Sequence, residues 1–172
     1  MMLIEIETTV FHFFYTTCHD ALLDKLMPFI TELASGKTLF IIAVIMLFFG
    51  RRRVRISGIL LLAGLTVSYY VVHLLKYMAA RPRPFLVLEG VSPSIAADGF
   101  SFPSNHAAMA FMAAFILSKC FGRWYIFYPI AALVAVSRIY LGVHFPSDVF
   151  VGGCIGLSIG YILVRVENTP VF

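Results

Sequence analysis

Long apolar runs separated by short polar breaks set the plan of this chain. Five stretches, residues 34–50, 54–78, 105–121, 124–141 and 147–166, are apolar almost throughout. Each approaches the ~20 residues that a helix rising about 1.5 Å per residue needs to cross roughly 30 Å of hydrocarbon. The pattern predicts an all-α fold, a polytopic membrane helical bundle of about five transmembrane helices. The first run is the least comfortable, because its uncharged part extends only from Thr38 to Gly50; Lys37 must then reach the interface along its own stem. Residues 10–33 follow another rule. Leu22, Leu23, Leu26, Phe29, Ile30 and Leu33 recur at helical spacing opposite Asp20 and Asp24, which predicts an amphipathic helix lying in the membrane interface. A sixth crossing through the aromatic stretch Val10–Tyr15 is the poorer reading, since Asp20, Asp24 and Lys25 follow it. Residues 1–33 are thus expected to form an interfacial region, and residues 34–172 the transmembrane core, of one domain.

Composition strengthens this picture. Of 172 residues, 60% are hydrophobic and only 13% charged, with a mean hydropathy of +0.92, against about a quarter charged in soluble domains. So short and so apolar a chain needs the bilayer as its solvent. The net charge of +4 does not point to nucleic acid, because the basic residues lie between hydrophobic runs rather than on one soluble face. The bilayer is the expected partner; no obligate protein partner is inferred. Cys18, Cys120 and Cys154 are scattered and form no CxxC pair, which argues against a disulfide framework and a zinc site alike. Glu5 and Glu7, without a basic stretch, give no sign of a cleavable signal peptide. Arg51, Arg52, Arg53, Arg55, Lys119, Arg123 and Arg165, seven of the thirteen basic residues, fall on one side, which the positive-inside rule makes cytoplasmic. The long polar connection 79–104 then faces outward, and loops of that length tend to carry function.

Helix alternation brings one set of polar residues to that outward face. The second run ends at Lys76, the third begins after Pro103-Ser104-Asn105-His106, the fourth ends at Ser137-Arg138, and the fifth begins at Pro146-Ser147-Asp148. Lys76, Arg81, Arg83, Ser104, His106, Arg138, His144 and Asp148 are therefore expected together. The arginine fork matches phosphate oxygens, and lysine adds a point charge. Ser104 is suited to cap the third helix, whose free N–H groups favour an anion. His144 lies four residues before Asp148, within reach of a hydrogen bond that would fix its tautomer and leave the other ring nitrogen free to attack. A basic cradle, an oriented histidine and a second histidine together describe phosphoryl transfer.

Three pieces of this set resemble the signature of the type 2 phosphatidic acid phosphatase superfamily. They are Lys76 through Arg83-Pro84, then Pro103-Ser104-Asn105-His106, then Ser137-Arg138 through His144 to Asp148, with all spacings kept. The resemblance implies a two-step reaction. His144 forms a phosphohistidine while Asp148 orients it, and His106 protonates the departing oxygen. Lys76, Arg83, Ser104, Asn105 and Arg138 bind the phosphate, and no metal or other cofactor is needed. It also implies a bacterial inner-membrane phosphatase acting on a lipid phosphate at the periplasmic or exterior face. The pattern is most similar to the lipid A 1-phosphatase branch, with undecaprenyl diphosphate or phosphatidylglycerophosphate as further substrates. Asn105 stands where the family usually has glycine. Arg81, in the tandem Arg81-Pro82-Arg83-Pro84, is an additional candidate contact to the substrate headgroup.

Other readings account for parts of the same pattern. The same phosphohistidine could pass its group to another lipid, making a phosphotransferase. A transporter or channel would want its ionisable residues near the middle of the membrane, not at one end. The hydropathy disfavours a soluble haloperoxidase. His12, His19 and His73 match no motif and are expected to pack or sit at the interface, with His73 placed to reach the edge of the site. The Arg51–Arg55 run is expected to set topology. Gly152, Gly153, Gly156 and Gly160 recur at helix-packing spacing, which predicts a close contact along the last helix.

Overall fold

Polar breaks and prolines divide the chain into helices much as the hydropathy suggests. The structure, a computed structural model, describes residues 2–167, with side chains from residue 5 onward. Residue 1 and residues 168–172, included in the expected single domain, lie outside the described residues. Among the described residues all regular structure is helical: α1 (Met2–His12), a π-helical turn (Phe13–Thr17), α2 (Ala21–Glu32), α3 (Gly36–Phe49), α4 (Arg52–Ala79), α5 (Pro84–Val87), α6 (Asn105–Phe121), α7 (Trp124–Tyr140) and α8 (Pro146–Glu167).

Local chemistry explains the boundaries. The side chains of Asp20, Ser35 and Ser104 accept hydrogen bonds from the first turns of α2, α3 and α6, satisfying N–H groups that have no partner inside a helix. Helix α4 ends where Ala80 turns left-handed; the prolines of Arg81-Pro82-Arg83-Pro84 then deny the backbone a donor, and Pro84 opens α5. Gly142, at φ +74°, takes a conformation that a side chain would strain, and it turns the chain from α7 toward His144.

The run Arg52–Val87 and helix α8 are each long and apolar enough to cross a membrane. Helices α2 and α3 qualify only together, as a pair bent by 51°; α6 and α7 are apolar but shorter, at 17 residues each. Here the expectation needs correction in one respect, for residues 10–33 are not one continuous helix. The chain breaks at Cys18–Asp20, where Asp20 leaves helical geometry to cap α2. Helix α1 sinks Phe11 completely into a cluster with Val91, Ala135 and Phe145. Helix α2 buries Met27 and Thr31 while exposing Leu22 and Phe29, and it meets α3 at the 51° bend.

The core lies along α6, the helix that buries most of its own length. An added Cβ at Gly156 would stand 2.0 Å from the carbonyl oxygen of Ala108, and one at Gly152 would stand 2.4 Å from that of Ser104. Glycine therefore lets α8 touch the α6 backbone, as its spacing foretold. The consequence for the site is direct. The N-termini of α6 and α8 meet, and the Ser104 N–H donates to the Asp148 carbonyl at 2.9 Å.

Candidate active site

Where those N-termini meet, the ends of α4 and α7 and the 96–100 loop close a cavity of about 430 Å³. Its walls include Lys76, Arg83, Asn105, His106, Arg138 and His144, with His73 and Tyr77 at α4. Six of the residues expected to act on phosphate thus share one concave surface. His73 reaches its edge, while His12 packs edge-on to Phe11 and His19 stacks on Tyr140.

Each cation is fixed by backbone or side-chain acceptors. The Lys76 ammonium donates to the carbonyls of Phe100 and Ser101, tying the loop to α4. Arg83, only 6% exposed, donates to the carbonyls of Gly99, Val143 and Asp98 at 3.0, 2.9 and 2.7 Å. It therefore locks the loop to the segment that carries His144. Arg138 donates to the Thr31 hydroxyl at 2.8 Å, while its buried Nε makes no hydrogen bond. A buried donor left unpaired costs about 1–3 kcal/mol, so this wall is set up to receive an acceptor. Guanidinium groups held in this way need no rearrangement to meet an anion.

His144 lies in the short turn between α7 and α8 and is nearly inaccessible. Its Nδ1 stands 3.5 Å from Asp148 Oδ2 and 3.5 Å from the Ser101 hydroxyl. Burial pushes its pKa down to about 3, against the pull of Asp148 upward, and the Arg138 charge lowers it further. The imidazole is therefore neutral, the form that can act as a nucleophile.

Asp148 is fully buried and all its contacts are within the protein. Oδ2 accepts from the Ser101 hydroxyl at 2.5 Å and from the Phe145 N–H at 2.8 Å. Oδ1 accepts from Arg81 at 2.7 Å.

Two expected phosphate or headgroup contacts sit elsewhere. Arg81 is not part of the cavity wall; its guanidinium is held by Asp148, Ser147 and Glu7 and lies 4.1 Å from the centre of the Phe145 ring. The two prolines keep Arg81 and Arg83 out of a helix, and the two guanidinium groups reach different partners, Asp148 for Arg81 and the Val143 carbonyl for Arg83. Ser104 is also off the cavity wall and fully buried, where it caps α6 through Ala107 N–H at 3.4 Å.

Ser101, Thr31 and Glu7 escaped the sequence reading. Ser101 lies just ahead of the Pro103-Ser104-Asn105-His106 motif, but nothing in its spacing pairs it with Asp148. Thr31 and Glu7 belong to segments whose partners lie 107 and 74 residues away, beyond what local periodicity registers.

Comparison with known proteins points the same way. Residues 57–171 match the PAP2 superfamily. The chain is 30% identical over 155 residues to an undecaprenyl-diphosphatase of Sulfolobus acidocaldarius, covering 87% of this chain and 73% of that protein. It is 34% identical over 158 residues to the undecaprenyl-diphosphatase BcrC of Bacillus subtilis, covering 87% and 78%. Among solved structures it is similar to Aquifex aeolicus LpxE, with a TM-score of 0.84, 33% identity, and 93% and 95% of the two chains covered. It is also similar to a transmembrane PAP2 type phosphatidylglycerolphosphate phosphatase from Bacillus subtilis, with a TM-score of 0.82, 26% identity, and 99% and 89% covered.

Proposed function

The chain belongs to the PAP2 superfamily and is an integral-membrane lipid phosphatase; from that premise we propose that it dephosphorylates a lipid at the outer leaflet through a phosphohistidine on His144. The observation that carries this reading is the cavity shared by His106, His144, Lys76, Arg83 and Arg138. The free ring nitrogen of neutral His144 attacks phosphorus as the bond to the lipid oxygen breaks, and His106 gives that oxygen its proton. Water then displaces His144 from phosphorus, surrendering a proton to His106, and inorganic phosphate leaves. Lys76, Arg83, Asn105 and Arg138 hold the phosphoryl oxygens as charge shifts in the transition state. Ser104 contributes by ordering the α6 N-terminus, whose dipole favours the anion.

The first-choice substrate is lipid A 1-phosphate, on the overall likeness of the sequence pattern rather than on the motifs. Undecaprenyl diphosphate is the second reading, favoured by the two undecaprenyl-diphosphatases that match most of the chain; phosphatidylglycerophosphate is a third. Residues 1–172 act as one domain in a bacterial inner membrane, with the site facing the periplasm or exterior. Arg52, Arg53 and Lys119 line a separate cavity at the opposite end of the bundle, which supports that orientation.

Detergent-purified protein without added metal, offered the three lipids, tests the reaction and ranks the substrates. Wild type is expected to release phosphate from at least one. His144→Ala is expected to lose about a thousandfold or more, as when a covalent nucleophile is removed. Unchanged release by His144→Ala from every lipid would overturn the reading. Labelled phosphate appearing on an added acceptor lipid would instead identify a phosphotransferase.

A further inference from the structure

Arg81 stands behind the site, and what it touches there forms a closed set. One guanidinium nitrogen donates to Asp148 Oδ1 and to the Ser147 hydroxyl, both at 2.7 Å; the other donates to Glu7 Oε2 at 2.6 Å. Glu7 Oε1 in turn accepts from the Ser147 hydroxyl and from the Ser147 N–H, the latter at 3.2 Å. Helix α1 is held in register by Phe11, which is fully buried and lies 5.7 Å from the Phe145 ring. Tyr15, one turn further, donates from its hydroxyl to the Ser92 carbonyl at 2.9 Å. A segment that hydropathy assigns to the membrane surface therefore delivers a carboxylate to the back of the catalytic aspartate.

We propose that Glu7 and Arg81 are positioning residues that hold Asp148 behind His144 and preserve its negative charge. The proposal rests on the phosphohistidine reading above. When His144 bonds to phosphorus, its ring becomes cationic and its Nδ1–H must be stabilised, and Asp148 is the anion beside it. Arg81 alone would fix Asp148 but cancel its charge. Glu7 takes up the Arg81 charge, so the Glu7–Arg81–Asp148 set stays net negative where it faces His144. Ser147, bonded to both Glu7 and Arg81, sets the distance between them. Neither Glu7 nor Arg81 lines the cavity, so their effect falls on the chemical step and not on lipid binding.

Glu7→Gln, Arg81→Gln, the double variant, Glu7→Asp and Arg81→Lys separate this role from plain folding support. Thr9→Ala on the exposed face of α1 serves as the control. All are assayed in detergent on the best lipid substrate, beside wild type and His144→Ala, with thermal unfolding recorded for each. The expected result is a fall in kcat of roughly 10–100-fold for each single glutamine variant, with KM within about twofold, the size seen when a partner that orients a working side chain is lost. The double variant is expected to be no worse than Arg81→Gln, because Glu7 acts only through Arg81. Arg81→Lys should recover part of kcat. Wild-type kcat in Glu7→Gln, or losses that multiply in the double variant, would overturn the relay while leaving the phosphatase reading intact. A rise in KM at constant kcat would also overturn it, placing these residues on the lipid instead. A folded wild type that releases no phosphate from any of the three lipids overturns both.

Discussion

The two ends of the helical bundle carry similar chemistry in opposite surroundings. At one end Arg53 donates to the Lys119 carbonyl and Arg55 to the Gly50 carbonyl, and both arginines are exposed. These carbonyls belong to the last turn of α6 and the cap of α3, so the cations sit where the helix dipoles are negative. At the other end Arg83 and Arg138 are only 6% and 4% exposed. Arg83 also donates to carbonyls, but from inside the protein, where an ion without partners is costly. Counting charges along the sequence treats the two ends alike. Burial separates them: exposed arginines can set orientation at little cost, whereas buried ones must be held by the fold for a purpose.

The sharpest way to break this contrast is Arg138→Ala. It removes a buried donor group from the cavity wall and leaves the Thr31 hydroxyl without its partner. Catalytic donors of this kind are worth about 10²–10³ in kcat, and a loss of that size in kcat/KM is expected with the best lipid. Steady-state phosphate release by purified protein measures it. A loss below about tenfold would make Arg138 a structural cation like those at the far end.

Much of the site end was legible in the sequence for a physical reason. Lys76, Arg83, His106, Arg138, His144 and Asp148 all stand at or near the ends of long apolar runs, and alternation of crossing direction is enough to gather them. The close seam of α6 and α8 was legible too, because Gly152 and Gly156 recur one turn apart and small residues permit backbone contact. What could not be read was the lateral arrangement. Phe11 looks like any interfacial aromatic until Phe145 and Val91 close over it. The apolar stripe of α2 is plain in the sequence, but its packing through Met27 and Thr31 against α7 is not, because the partners Tyr140 and Arg138 lie more than a hundred residues away. Arg81 and Arg83 have almost identical local sequence, and the turn geometry around two prolines sends one behind Asp148 and the other to the cavity.

A second contrast concerns pH. The far end presents exposed arginines, whereas at the site end His144 is buried neutral with its pKa lowered to about 3. Its unfolded value is about 6.5. Below that value the unfolded chain takes up a proton that the folded chain refuses until about pH 3, so folding stability declines as pH falls through this window and is unaffected by this group above it. The slope from His144 alone is about 1.4 kcal/mol per pH unit. Thermal unfolding of wild type and His144→Gln between neutral and acid pH isolates it. The wild-type melting temperature is expected to drop more steeply on the acid side, and parallel curves would show that His144 carries its proton in the folded state.

The smallest expected effect lies at the far end. Arg52→Gln combined with Arg53→Gln removes two exposed charges and the bond to the Lys119 carbonyl, without touching the site. Exposed pairs of this sort contribute about 0–1 kcal/mol, so specific activity in detergent is expected to stay within about twofold of wild type. Orientation is another matter, because the bilayer reads the number of lysines and arginines next to each crossing. Neutralising Arg51, Arg52, Arg53 and Arg55 together is therefore expected to change the fraction of chains inserted with the site outward, measured with a compartment-sensitive fusion at Glu167, while correctly inserted molecules keep their turnover. A tenfold loss of turnover in the double variant would mean that α4, which runs from Arg52 to the Lys76 end of the cavity, transmits strain between the two ends. The separation between a catalytic end and an orienting end would then fail at that helix.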